Sequence, residues 1–133
     1  MQTRRITASH EPVLLLDPKM DSAAELAIHL ELNGFPTRIE SSAAGAQAAI
    51  RDAYFATLIV IADLDDAACL DWLDELRRAA AQSWMMVVSP RCDTKTRHLI
   101  YRHGGDACMA EPVSIDDLIR RLTAFQLRTR SAF

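Results

Sequence analysis

The sequence predicts an α/β protein built on a doubly wound parallel sheet, and three observations carry the prediction. Leu58 to Ala62 (LIVIA) is a short, unalternating run rich in β-branched residues, the pattern of a strand buried on both faces. Val13 to Leu16 and Trp84 to Val88 repeat that pattern, with segments of helical apolar spacing between them. The runs also end in polar residues and a turn: Asp17-Pro18, the acidic stretch Asp63 to Asp66, Ser89-Pro90 and, after a shorter run, Glu111-Pro112.

The elements follow in chain order. Residues 1–11 carry Arg4 and Arg5 with no apolar stretch behind them, which excludes a secretory signal and predicts a flexible tail. Val13 to Leu16 forms the first strand, and Pro18 ends it. Asp21 or Ser22 caps a helix carrying Ala24, Leu26, Ala27 and Leu30, which Gly34 terminates. Pro36 to Glu40 is a short polar edge strand, of the kind that resists unwanted pairing. Ser41 or Ser42 opens an alanine-rich helix to about Ala53, which leads through Tyr54 and Phe55 into the central strand. Leu70, Leu73 and Leu76 mark the face of the next helix. Trp84 to Val88 is the fourth strand, Thr94 to His103 a helix stopped by Gly104-Gly105, and Ala107 to Ala110 the last strand. Ser114 and Asp117 form a capping box for a final helix striped by Ile115, Leu118, Ile119, Leu122 and Phe125.

Five strands, each followed by a helix, imply right-handed crossovers on both faces of the sheet. The flavodoxin-like (βα)5 order 2-1-3-4-5 is the natural solution, with its switch point between strands 1 and 3. Asp17 and Asp63 end those two strands, so they converge. Ser89 and Glu111 reach the same pole from strands 4 and 5. An all-oxygen set of this kind suits a hard divalent cation, and an aspartate facing such a cation can attack phosphorus. Half-solvated strand ends with no chemistry explain the same residues equally well.

Composition bounds the function. The 133 residues are 50% hydrophobic and 25% charged, as in one ordinary globular domain. A net charge of -3 argues against whole-surface nucleic-acid binding. Arg120, Arg121, Arg128 and Arg130 read as a solvated helix face and tail rather than a phosphate-binding patch. No apolar run reaches the roughly 18 residues of a membrane span. Cys69, Cys92 and Cys108 show no metal-ligand spacing, and an odd count makes a poor disulfide framework, so reduced thiols in a cytoplasmic protein are expected. The scattered His10, His29, His98 and His103 are expected at the surface.

Four features give the chain a family resemblance: LLLD at Leu14 to Asp17, IADL at Ile61 to Leu64, VVS at Val87 to Ser89, and GGDACMAEP at Gly104 to Pro112. In order and spacing they resemble the receiver domain of CheY-like response regulators, over about residues 12–128, with a short C-terminal tail at 129–133. The resemblance implies that Asp63 is the acceptor of a phosphoryl group from a sensor histidine kinase. Ser89 then supplies the hydroxyl that contacts the phosphoryl group, and Pro112 is the cis-proline. Asp17, with Asp63, is the metal-ligating acid for Mg²⁺. A normal loop with an earlier slip would put Ala62 at the acceptor position instead.

The departures from the family pattern all fall in one pocket. The second acidic position is Pro18, which cannot ligate a metal. The phosphoryl-pairing lysine is replaced by Glu111, which repels a dianion. The aromatic switch position is Cys108, and the loop after Asp63 is about two residues short. Asp65 or Asp66 is available to replace the missing ligand, and Lys19 to supply positive charge. The expectation is therefore a stand-alone, divergent receiver in two-component signal transduction, not itself an enzyme, with Mg²⁺ binding weakened or absent and aspartyl phosphorylation altered or lost. It would dock on a kinase or an output protein, or form a homodimer, through the face of helix 4, strand 5 and helix 5, with no direct nucleic-acid contact. The alternatives are a conventional phosphoacceptor receiver using Asp63 and a Mg²⁺-dependent phosphohydrolase resembling haloacid dehalogenases, with Asp63 as nucleophile and Asp65 as general acid.

Overall fold

Strand β3 (Thr57–Ile61) occupies the middle of a five-stranded parallel sheet in a computed structural model that describes residues 10–131. Its neighbours are β1 (Val13–Leu16) and β4 (Trp84–Ser89), and the outer positions belong to β2 (Thr37–Glu40) and β5 (Ala107–Ala110). The strand order is β2-β1-β3-β4-β5, the order expected from the alternating pattern. Helices α1 (Ala23–Leu32), α2 (Ala43–Asp52), α3 (Ala67–Ala79), α4 (Thr94–Arg102) and α5 (Ile115–Ser131) follow the strands in turn.

Two apolar layers explain why β3 shows no alternation in sequence. Leu58 and Val60 pack with Ala46 and Ala49 of α2, Leu73 and Leu76 of α3 and Ile100 of α4. Ile59 faces the other way, towards Leu26 and Leu30 of α1 and Leu118 and Leu122 of α5. Both faces are thus covered, and each large side chain buried there stabilises the fold by about 1.5–3 kcal/mol. Strand β2 lies at an edge, and its Arg38 and Glu40 pair at 2.9 Å along it. No described helix is long and apolar enough to cross a membrane.

The pole opposite the acidic loops is organised by Arg77, near the end of α3. Its guanidinium donates to the carbonyls of Gly104 (2.8 Å), Ala80 (3.1 Å) and Ser83 (2.7 Å), and to the Asp106 carboxylate (2.8 Å). Asp106 also accepts the Met85 N–H at 2.8 Å. One side chain therefore joins the end of α3 to the starts of β4 and β5. Gly104 sits against it with φ +96, where a Cβ would meet Arg77 Cβ and Cγ at 2.8 Å. Glycine meets both demands, the left-handed backbone and the close approach.

Three expectations need correction. Cys92 and Cys108 are joined by a disulfide, with Cα atoms 6.1 Å apart, and only Cys69 is a free thiol among the described residues. The odd count misled because parallel crossovers bring the β4–α4 loop beside β5, a proximity that sequence spacing does not report. The N-terminal tail expected at 1–11 lies outside the described residues as far as 9, but His10 and Glu11 are held in place. The His10 ring stacks on Phe35 at 4.1 Å, and the Glu11 N–H donates to Gln126 Oε1 at 2.8 Å. The tail expected from 129 is still helical as far as Ser131, because α5 continues past 128; residues 132 and 133 lie outside the described residues.

Arg77→Ala leaves several carbonyls and the Asp106 carboxylate without their donor, so urea unfolding should show a loss of about 2–3 kcal/mol. Arg38→Ala, which removes an exposed edge pair, should cost under about 0.5 kcal/mol in the same experiment.

Candidate functional site

The sheet delivers Asp17, Asp63, Ser89 and Glu111 to its carboxyl-terminal edge, as the parallel topology requires. A cleft of about 280 Å³ there is lined by Asp17, Lys19, Asp63, Asp66, Trp72 and Glu111, among others. A second, of about 180 Å³, is lined by Asp63, Asp65, Ser89, Arg91, Lys95 and Thr96, among others. Asp63 lines both, so it stands between the acidic pocket and the buried Ser89 hydroxyl.

Asp17 is 2% exposed, and both its carboxylate oxygens are occupied by the chain that follows. Oδ1 accepts the Lys19 N–H at 3.1 Å; Oδ2 accepts those of Ser22 (3.0 Å) and Ala23 (3.2 Å). The Ser22 side chain makes no capping bond to α1, so Asp17 serves the helix start from five residues upstream. This gives a buried carboxylate the donors it needs. Pro18 offers no ligand beside it, and Lys19 is exposed.

The three aspartates after β3 also have local partners. Asp63 Oδ1 accepts the Asp65 N–H at 3.0 Å, closing a tight turn. Asp66 is the N-cap of α3, accepting the Ala68 N–H at 3.0 Å. Asp65 is exposed and reaches Arg91 at 3.6 Å, a solvated pair. The β3–β4 ladder ends at Ile61 opposite Val88, and the Ala62 N–H donates to the Val88 carbonyl at 2.9 Å. Continuing that register puts Ala62 beside Ser89, with Asp63 exposed one residue beyond. At β5 the Glu111–Pro112 peptide is cis, and Glu111 is exposed.

Mg²⁺ finds a poor donor set here. Among the described residues no group of three or more His, Cys, Asp or Glu side chains is placed to hold a metal ion, and the Asp17 carboxylate is already committed to backbone donors. The cleft shared by Asp63 and Ser89 draws its cations from the β4–α4 segment, as Arg91 and Lys95, while Lys19 lines the acidic cleft on the other side of Asp63. Sequence spacing pointed at Glu111 and Lys19 and missed this pair. The signal was present in RCDTK, where two cations flank the start of a helix.

Two groups near the site titrate unusually. Burial pushes the Cys69 thiol up, against a smaller opposing effect from a hydrogen bond to the Asp63 backbone. Asp93, the N-cap of α4, is held below the usual carboxylate range, first by the Thr96 N–H and then by its hydroxyl. A depressed carboxylate stabilises the folded state above its unfolded pKa, and the effect is lost as pH falls through the folded value.

Amides in the first turn of α4 should therefore lose hydrogen-exchange protection as pH falls below the ordinary Asp range. Asp93→Asn, which still offers an oxygen acceptor, should flatten that dependence. Asp17→Ala strands three backbone donors and should cost about 2–3 kcal/mol in chemical denaturation. Adding Mg²⁺ to the unmutated protein should leave the thermal midpoint where it is.

No protein-family model matches the chain. The probable transcriptional regulatory protein y4xI of Sinorhizobium fredii is 29% identical over 116 residues, which make up 87% of this chain and 50% of that protein. The chain thus spans about half the length of the curated relative it matches. Among solved structures, a CheY-like response regulator receiver domain protein from Methanospirillum hungatei superposes with a TM-score of 0.81 at 18% identity, covering 94% of this chain and 100% of that one. An atypical orphan response regulator, described as having a phosphorylation-independent regulatory mechanism, gives 0.73 at 20% identity over 88% and 95% of the two chains. Strand order, helix placement and these superpositions agree, and the chain has the fold of a CheY-like response regulator receiver domain.

Proposed function

We propose that this chain is a divergent receiver that signals by docking on another protein, without ordinary aspartyl phosphorylation. The observation that carries the reading is the charge at the strand ends. Asp17 is consumed in holding the β1–α1 loop, Pro18 cannot bind a metal, and Glu111 puts a carboxylate where a phosphoryl group needs a cation. Three stabilising contributions to a phosphorylated aspartate are thus missing or reversed together. Similarity to the probable transcriptional regulatory protein y4xI and to an orphan response regulator supports a reading in two-component signalling.

The docking face in this proposal is formed by α4, β5 and α5. Lys95, Arg97, His98, Tyr101 and Arg102 on α4 are all exposed, a basic surface on a chain of net charge -3. An acidic face on a kinase or an output protein suits it, and a second copy is the alternative occupant. The site of action is the cytoplasm, and the chain is not itself an enzyme. The phosphohydrolase alternative finds no support at Asp65, whose carboxylate is turned to solvent and Arg91.

One observation favours a second reading. The cleft that Asp63 shares with Ser89 also holds Arg91 and Lys95, so an Asp63 phosphoryl group has a hydroxyl and two cations within one cavity. A conventional acceptor role for Asp63 would run through that cleft, with the cation supplied from the β4–α4 loop.

Intact-mass measurement after incubation with acetyl phosphate and Mg²⁺ separates the two. No adduct is expected. An adduct of one phosphoryl group that disappears in Asp63→Asn would overturn the docking-only reading and establish the second. Turnover of a generic phosphoester that is lost in the same variant would overturn both.

A further inference from the structure

We propose that the Cys92–Cys108 disulfide is a reversible redox latch on α4, formed and opened by exchange with small-molecule thiols and disulfides. The placement carries the idea. Cys92 lies in the loop between β4 and α4, immediately before the Asp93 N-cap, and Cys108 lies on β5. The bond therefore ties the start of α4 to the neighbouring strand.

Without that tie α4 is lightly held. Of its nine residues only Thr96 and Ile100 are buried, and its exposed side is strongly basic. Besides the buried Thr96, its start is held by the Asp93 cap on the Thr96 N–H at 2.8 Å and a long contact from Arg91 to Asp65 at 3.6 Å. Arg91 and Asp65 are both mostly exposed, so that pair adds little. Opening the disulfide frees the loop 90–93 and lets the first turn of α4 leave the sheet, while Ile100 keeps the rest of the helix in place. Segments of this kind, with few buried contacts, are the ones that open locally.

Access and selectivity follow from burial. Cys92 is half-buried, within reach of a small thiol, and Cys108 is 9% exposed beside it. Cys69 is 4% exposed and burial keeps it protonated, so it stays out of the exchange. In closing, a thiolate of Cys92 attacks one sulfur of oxidised glutathione and releases one glutathione thiol. Cys108 then attacks the Cys92 sulfur of the mixed disulfide and releases the second. Two electrons pass from the cysteine pair to glutathione, and the two cysteine protons end on the two released thiols.

The inference rests on the docking reading in two respects: it takes α4 as a working surface, and it takes the cytoplasm as the setting. In a cytoplasm disulfides are usually transient and redox-sensing rather than permanent staples. The chemistry itself is testable with or without a partner.

The test is a titration of the full chain in mixed reduced and oxidised glutathione, with thiol alkylation and intact mass reading the bond and hydrogen exchange reading the helix. The bond should open and close within the accessible glutathione ratios. On opening, amides of 91–98 should exchange about tenfold faster while those of α1 and α2 stay as they were. Cys92→Ser should behave like the reduced protein at every ratio. Reduction of the unmutated chain supplies the same comparison with no substitution at all. A bond that survives fully reduced glutathione, or never forms in fully oxidised glutathione, would overturn the latch. So would a bond that titrates while α4 exchange stays constant. None of these outcomes bears on Asp63, which the acetyl phosphate measurement tests separately.

Discussion

Burial of the central strand on both faces is the constraint from which the rest of this structure follows. A strand with apolar neighbours above and below has no room for polar side chains along its length, so they are driven to its ends. In a parallel sheet every carboxyl end points the same way, and five strand ends then share one edge. A concentration of polar groups at that pole is guaranteed by packing before any chemistry is considered. What those groups do depends on their partners.

Here several of the acidic groups at the pole serve backbone donors. Asp17 takes the N–H groups leading into α1, Asp66 caps α3 and Asp93 caps α4. Each helix follows its strand after a short loop, so its unpaired N–H groups arrive beside the strand ends and need acceptors. A carboxylate is a strong acceptor for them and also complements the helix dipole. The loops thus satisfy several of the acidic groups at this pole from their own backbone. In the proposed reading that local satisfaction, with Glu111 added at the edge, is what sets this site apart from one built to hold a metal and a phosphoryl dianion.

Much of the architecture was legible in the residues. LLL and LIVIA announce doubly covered strands, Asn33-Gly34 and Gly104-Gly105 stop helices, and the strand-helix alternation leaves little choice of topology. The site was legible as a set of positions but less so as a set of interactions. Asp66 as a cap was hidden because three adjacent aspartates look like one cluster. Arg77 was invisible because most of its partners are backbone carbonyls, and any residue can supply a carbonyl. The disulfide was hidden for a related reason: its two cysteines become neighbours only when β5 is laid beside β4.

The same geometry explains why α4 is the element on which control would converge. Helix α2 buries Ala46 and Ala49 and helix α3 buries Cys69, Leu73 and Leu76 in the layer shared with β3. Helix α4 likewise buries two residues, Thr96 and Ile100, but its first turn carries, besides Thr96, a solvent-facing cap and a covalent tie just before it. Apolar packing responds weakly to pH and not at all to thiols, whereas a carboxylate cap responds to the first and a disulfide to the second. A helix fastened mainly by chemistry that solution conditions can change is one whose position those conditions can set. Asp93 and Cys92 are adjacent, so both changes act on the same turn, next to the strand that carries Ser89.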